Sequence, residues 1–587
     1  MSGGRILVYL LRHDLRTADN PVLHRLSTSG DHHGYTHLLP VYVLPPDQVE
    51  LSGLVKDGEI CPYPRASATS SGNWKCSVHR IKFLVECVWD LKENLERLGS
   101  GLVIRAGAFD AVLKSIIQGY AGDADGPHVG AVWMVEEFSP DQILEQELVS
   151  AVCIEFGVEL VQFQDQKQFI DDRDLPVQSV SDLPDVFADF QLSLEPLRDR
   201  PREPVPTPAK SSLPPLPDGA SIPAQHRPFA VPETLQEIIQ SLQEPLKPDY
   251  SYHHRWLDFD GEALARPPLG GETCAHERLR QVVGQGIASQ YHNMRDELHE
   301  SDRCHKLEAY LSFGCITARQ IHRELAKLED GAEADLALSE GFGRGQNPGT
   351  SAIRAELLHR DFVRLCVKKH RHDIFSLDGS GLGKNPGRQW KTPDDQAARP
   401  DQGLSPLNVA AIIAQFQAGT TGYGLVDAIM RQLLYTAHIS PRGQMLAANF
   451  LARYAGVDWR HGVEWVASLS TDADAALHWY SWQHHAGIGP DPQGAGLAKS
   501  PVHVAFKYDP NGSLVRRWLP ELQGLTKLSN LFQVSTASPG LLRQLGLSDS
   551  AMVTSPVPSN HFRRGLAQRL SHFSIPPSSK LFSNRFL

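Results

Sequence analysis

The chain has 587 residues and a formal net charge of -11 at neutral pH, so it is long enough for at least two hydrophobic cores, and in bulk it repels nucleic acid. Its 8 cysteines include no C-x-x-C pair, which argues for reduced thiols and against a disulfide framework or a zinc site. Apolar stretches such as residues 6–11 stop at charges far short of the roughly 20 residues that span a bilayer, so no membrane partner is expected.

Met1-Ser2-Gly3-Gly4-Arg5 runs straight into a strand-like segment with no apolar leader, so a cytoplasmic or nuclear location is expected, with a mitochondrial one left open. Residues 6–11 are a short apolar run with β-branched members, closed by Arg12-His13-Asp14, and residues 38–44 read as a second buried strand. Phe83, Leu84, Val88, Leu91, Leu95 and Leu98 recur at helical spacing, and a strand over 102–104 follows Gly99-Ser100-Gly101. A helix over 109–118 then leads to a strand over 129–135. Strands and helices thus alternate across residues 1–170, as in a doubly wound α/β domain with a parallel sheet, which binds ligands beyond the carboxyl ends of its strands. No GxGxxG follows the first strand, which disfavours a dinucleotide there.

Residues 171–247 are rich in proline and read as a connector. In 248–535 helical periodicity dominates, over 307–313, 318–328, 356–367, 426–434 and 444–454, so the second domain is expected to be mainly α-helical. Residues 376–405 read as a long loop, and 536–587 as a loosely ordered tail.

Several motifs carry a family resemblance. The opening YLLRHDLR with Asp19-Asn20-Pro21, the segment RIKFLVECVWDLKENLERLGSGLVIR, and the later GTTGYGLVDAIMRQLL, GVDWRHGVEW, AGIGPDP and YDPNGSLVRRWLPEL occur in the order found in the cryptochrome/photolyase flavoproteins. The chain resembles that family, and YDPNG with WLPEL places the resemblance closest to the fungal-type DASH cryptochromes. The implied architecture is an antenna domain followed by a helical FAD-binding domain.

The resemblance assigns roles residue by residue. Asp472 and Asp474 match the acidic pair at the flavin; Thr471-Asp472 also reads as a helix cap. Tyr291, Lys306 and Arg360 match family contacts to the cofactor. The phosphate-binding Ser/Thr segment is replaced here by Cys304-His305-Lys306-Leu307-Glu308-Ala309. His478 stands where relatives carry an Asn beside the ring and is a candidate catalytic proton donor to it. Gln444 replaces an Arg that pairs with the first aspartate, and a drifting pocket with weak FAD binding is the bland reading of these changes. Trp482 and Trp459 match the inner and middle members of a light-driven electron-transfer chain. The outer member has no counterpart in LSPLNVAAIIAQF, which leaves Trp390, Trp479 and Tyr480 as substitutes or as ordinary core aromatics.

Glu356 matches the carboxylate that assists dimer splitting in photolyases, whereas the stacking and lesion-side positions are His359, His484 and Pro441. Arg442 and the run KKHRH over 368–372 mark a basic face for single-stranded or damaged DNA, or RNA, or else a solvated helix surface. In the first domain Glu137 matches an antenna contact for 5,10-methenyltetrahydrofolate, with Glu136 as the competing choice. The leading expectation is a monomeric DASH-type blue-light flavoprotein and photoreceptor with weak nucleic-acid binding. The alternatives are a light-dependent photolyase of cyclobutane pyrimidine dimers, in which His359 and His484 cradle the lesion, and a flavin-free interaction scaffold.

Overall fold

The computed structural model describes residues 4–121, 126–164, 167–250, 268–295, 298, 306–379, 388–397, 407–472, 474–491 and 500–558. Strands β1 (Arg5–Leu11), β2 (His37–Leu44), β3 (Val103–Ala106), β4 (His128–Val135) and β5 (Glu159–Phe163) form one parallel sheet in the order β3-β2-β1-β4-β5. β1 is apolar and buried from Ile6 to Leu11 because both faces of the sheet are covered. Ile6, Val8 and Leu10 pack with the helices Phe109–Tyr120 and Pro140–Phe156, whereas Leu7, Tyr9 and Leu11 join the core that continues into the helical domain. The strand order turns between β1 and β4. The segments leaving these two strands, Arg12-His13-Asp14 and Glu136-Glu137-Phe138, therefore flank the crevice where such a sheet takes a ligand.

The helical domain is built around Pro348–His370, Gly424–Thr436, Arg460–Leu469 and Ala475–Ala486. The periodic segment 444–454 does not form one regular helix. It divides into Pro441–Ala448 and a wider π-helical turn over Asn449–Ala455, where Arg388 donates to the Ala452 carbonyl at 2.7 Å and Lys391 to that of Ala455 at 3.2 Å. Side chains from outside thus satisfy carbonyls that the wider turn frees.

The connector has structure of its own, and the expectation of a loosely ordered tail is corrected over its first part. The connector contributes no paired strand to the main sheet, but it is a packed strap with helices Phe187–Leu194 and Leu235–Gln243, and it buries Phe190, Leu194 and Phe229. Residues 539–558, expected as tail, hold two short helices and bury Leu542, Leu547, Met552 and Val557, with Val557 N–H donating to the Thr421 carbonyl at 3.0 Å. Residues 559–587 lie outside the described residues, as does most of the 376–405 loop. Among the described residues no helix is long and apolar enough to cross a membrane, and no cluster of His, Cys, Asp and Glu is arranged for a metal.

Buried carboxylates close the seam between the two domains. Asp19, wholly buried, pairs with Arg319 and accepts from the Thr317 hydroxyl at 2.6 Å. Glu272 accepts from Thr17 N–H and Ala18 N–H, both at 2.8 Å, and Asp361 from Phe169 N–H at 3.2 Å and Ile170 N–H at 2.8 Å. Removing one partner of a buried ion pair strands the other charge. Asp19→Ala is therefore expected to lower unfolding stability by about 3–5 kcal/mol in urea titrations; a loss below about 1 kcal/mol, the range of surface pairs, would contradict the role of Asp19.

Candidate functional site

The residues singled out from the sequence converge where the 348–370 helix packs on the 475–486 helix. On the first, Glu356, His359 and Arg360 share one face by their three- and four-residue spacing. On the second, Asp474 is the N-cap: its carboxylate accepts from Leu477 N–H at 3.2 Å and also pairs with Arg360 at 3.1 Å. The cap is thus Asp474, not Asp472, and this leaves Asp472 to face inward. Its carboxylate lies 3.6 Å from His478 Nε2, its carbonyl accepts from the Ser312 hydroxyl at 3.3 Å, and the Ser312 carbonyl is 3.2 Å from His13 Nδ1. Burial pushes the Asp472 carboxyl up, but His478, His438 and Arg360 together hold it below the usual carboxylate range.

His478 is 2% exposed, and its Nδ1 has no hydrogen-bond partner among the described residues; the same is true of Trp482 Nε1 one turn later on the same helix. Buried polar nitrogens are seldom left unmade, so a helix face with two of them fits a ligand bearing hydrogen-bonding edges. That observation, with the acid pair and Arg360, matches what an isoalloxazine and its charged tail require. Gln444 makes no hydrogen bond to Asp472 among the described residues. His478 is the group beside Asp472.

Tyr291 donates to the Glu356 carboxylate at 2.6 Å, which ties an expected cofactor contact to the expected splitting carboxylate. Lys306 adopts a left-handed backbone, Leu307 is buried, and Glu308 opens the helix Glu308–Ser312. Lys306, Glu308, Thr436, His438 and Thr471 line one cavity of about 280 Å³. Cys304 and His305 lie outside the described residues.

A larger cavity, of about 590 Å³, lies between the domains and reaches from Glu137, His13 and Lys167 on one side to Arg360, Asp474 and Trp479 on the other. Glu137 rather than Glu136 stands in its wall, at 8% exposure, and takes an ion pair from Lys167 at 2.6 Å. Sequence reasoning missed Lys167 and His13. Their signal was position, since both follow strands of the sheet at its carboxyl end.

The expected nucleic-acid positions are mostly engaged elsewhere. His359 has the Phe187 ring of the connector edge-on at 4.9 Å and Tyr480 at 6.2 Å. Burial, then His484 and Arg360, lowers its pKa to about 4. His484 lies 3.7 Å from the Asp491 carboxylate and against His485, and Arg442 stacks over Tyr508 at 5.0 Å. Pro441 opens the 441–448 helix behind the Ser440 cap, a place where a missing N–H costs nothing. In the 368–372 run, Lys368 pairs with Asp172 at 2.9 Å and Lys369 with Asp185 at 2.7 Å. Those two lysines brace the connector rather than supply an open basic face.

Two family models match the chain: "DNA photolyase" over residues 7–209 and "FAD binding domain of DNA photolyase" over residues 353–546. A putative cryptochrome DASH of Gibberella zeae is 42% identical over 95% of this chain and 79% of its own length. A putative mitochondrial cryptochrome DASH of Neurospora crassa is 40% identical over 95% and 75%. Among solved structures, a Synechocystis cryptochrome aligns with a TM-score of 0.71 at 25% identity, covering 93% of this chain and 95% of that one. A class III photolyase of Agrobacterium tumefaciens shares the fold at a TM-score of 0.65 and 20% identity, over 97% of this chain and 96% of that one.

The depressed His359 pKa fixes a pH dependence. The unfolded chain takes up this proton near pH 6.5 and the folded one near 4, so the stability is complete above 6.5 and is lost as pH falls through that window. His359→Phe is expected to flatten the fall of the urea midpoint between pH 6.5 and 4; an unchanged slope would contradict the buried, neutral ring.

Proposed function

This chain belongs to the cryptochrome/photolyase family, on its DASH branch, and from that premise we propose that it is a blue-light photoreceptor holding FAD in its helical domain. The observation that carries the reading is the inward face of the 475–486 helix: the contact of Asp472 with the buried His478, beside nitrogens of His478 and Trp482 that have no hydrogen-bond partner among the described residues. FAD, when bound, supplies the light absorption and the redox chemistry. Asp472 would accept from the ring edge, His478 would keep a nitrogen at hydrogen-bonding reach and pass a proton to the ring, and Arg360 with Lys306 would face the anionic tail. Asp474 fixes Arg360 and the helix start together, so it orients the site from both sides. Unmade polar groups at full burial also weigh against a flavin-free scaffold.

The larger cavity supports the antenna reading. A folate such as 5,10-methenyltetrahydrofolate fits its size class and would meet Glu137 beside Lys167. Dimer repair has less support here, because Phe187 covers the His359 edge and Pro441 offers no donor. Nucleic-acid contact is proposed as weak, with Arg442 and His484 at its centre, and the protein as a monomer. The Neurospora crassa relative is called mitochondrial and an Ostreococcus tauri relative chloroplastic/mitochondrial; for this chain a cytoplasmic or nuclear location is proposed, with import into mitochondria as the outcome that a tagged-protein localisation would have to find to reverse it.

The test is an absorption spectrum of the purified protein and a titration with FAD, before and after blue light with a mild reductant. The expected result is a flavin band that bleaches in light, with Asp472→Ala weakening FAD retention about tenfold or more, the worth of a charge-assisted hydrogen bond. A colourless protein that takes up no FAD would contradict the proposal.

A further inference from the structure

Trp479 has no part in either the Asp472–His478 contact or the Glu137–Lys167 pair, yet it touches the regions of both. Trp482 and Trp459 are both at 0% exposure. Both border the first turn of the 460–469 helix: Trp459 precedes it, and a Cβ on Gly462 would stand 2.2 Å from the Trp482 ring. The Trp459 ring then meets the Trp479 ring edge-on at 5.2 Å between centroids. Trp479 is half-buried and stands with Phe375, 5.5 Å away, in the wall of the 590 Å³ interdomain cavity. The other aromatics near the site lead elsewhere. Tyr480 turns to His359 and Phe362, and Trp390 lies under Arg388. The indole line therefore starts beside His478 and ends at solvent reachable through the cavity, and Phe375 cannot extend it because a phenyl ring is far harder to oxidise than an indole.

We propose that Trp479 is the terminal electron donor of this protein and draws reducing equivalents from the interdomain cavity. The proposal rests on the FAD reading above. With FAD bound to supply the light absorption, Trp482 would give up one electron to it, Trp459 would restore Trp482, and Trp479 would restore Trp459. The oxidised Trp479 indole then takes one electron from a small thiol in the cavity; the thiol gives up that electron and a proton, and two such events join two thiols as one disulfide. A hole held at the cavity wall is reachable by a reductant, whereas one held on the inaccessible Trp459 returns to the flavin. Any ligand filling the cavity covers Trp479, so an occupied antenna site slows thiol-driven reduction.

The experiment is transient absorption on FAD-loaded protein with dithiothreitol, comparing wild type with Trp479→Phe and Trp390→Phe. Trp479→Phe is expected to keep the flavin content and Tm of wild type while shortening the tryptophan radical lifetime, and the rate of thiol-dependent bleaching, by about tenfold or more; Trp390→Phe is expected to behave as wild type. A second readout is peptide mass spectrometry after long illumination in air without thiol, in which oxidation is expected to fall first on Trp479. If Trp479→Phe does not fold, Trp479→Tyr supplies the test, with a tyrosyl signal replacing the final tryptophan one. An unchanged radical lifetime in a flavin-replete variant overturns the assignment of Trp479 and leaves the FAD reading standing; a protein that takes up no FAD overturns both.

Discussion

Burial of carboxylates at the seam between the two domains is the constraint on which the rest of the structure depends. Asp19, Glu272 and Asp361 each cross from one domain to the other and are satisfied there by backbone N–H groups or by a cation. Such groups tolerate little displacement, because each ångström of separation leaves a charge or a donor unmade in a dry environment. The seam therefore sets two walls at once. It holds the carboxyl ends of β1 and β4 against the helix that carries Arg360, and the space left between them is the interdomain cavity. Gly314 shows how close the approach is: its φ is +67°, and a Cβ there would stand 1.9 Å from the His13 carbonyl.

The same seam couples the two regions chemically. His13, leaving β1, reaches the Ser312 carbonyl, and the Ser312 hydroxyl reaches the backbone of Asp472. The acid facing the proposed flavin is thus positioned by a residue of the antenna domain. Around it, His478, His438 and Arg360 supply the positive charge that holds the Asp472 carboxyl below its usual range against the cost of burial.

Much of this was legible in the sequence, and for definite reasons. β1 and β2 are continuous apolar runs because both faces of a parallel sheet are covered, and the helix over Val78–Arg97 announces itself by spacing. Several of the residues singled out by the family motifs, among them Glu356, His359, Arg360 and His478, lie on two helices that pack together, 348–370 and 475–486. Periodicity could not reveal the connector's role as a packed strap, because its stability comes from long-range partners such as Glu329, reached by Arg198, and the Asp19 carboxylate, which takes Val205 N–H. Nor could it separate Asp474 as cap from Asp472, which are two residues apart in one motif, or show that Lys368 and Lys369 are spent on connector acids. The wider turn over Asn449–Ala455 was invisible for the same reason: its carbonyls are met by Arg388 and Lys391 from a segment that reads as loop.

The most direct measurement is a crystal structure of the protein loaded with FAD. The expected result is the ring system against the 475–486 helix, with Asp472 and His478 Nδ1 at hydrogen-bonding distance from it and the Arg360–Asp474 pair intact. Density for the flavin elsewhere, or a His478 ring that remains without a partner beside bound FAD, would contradict the account of this site.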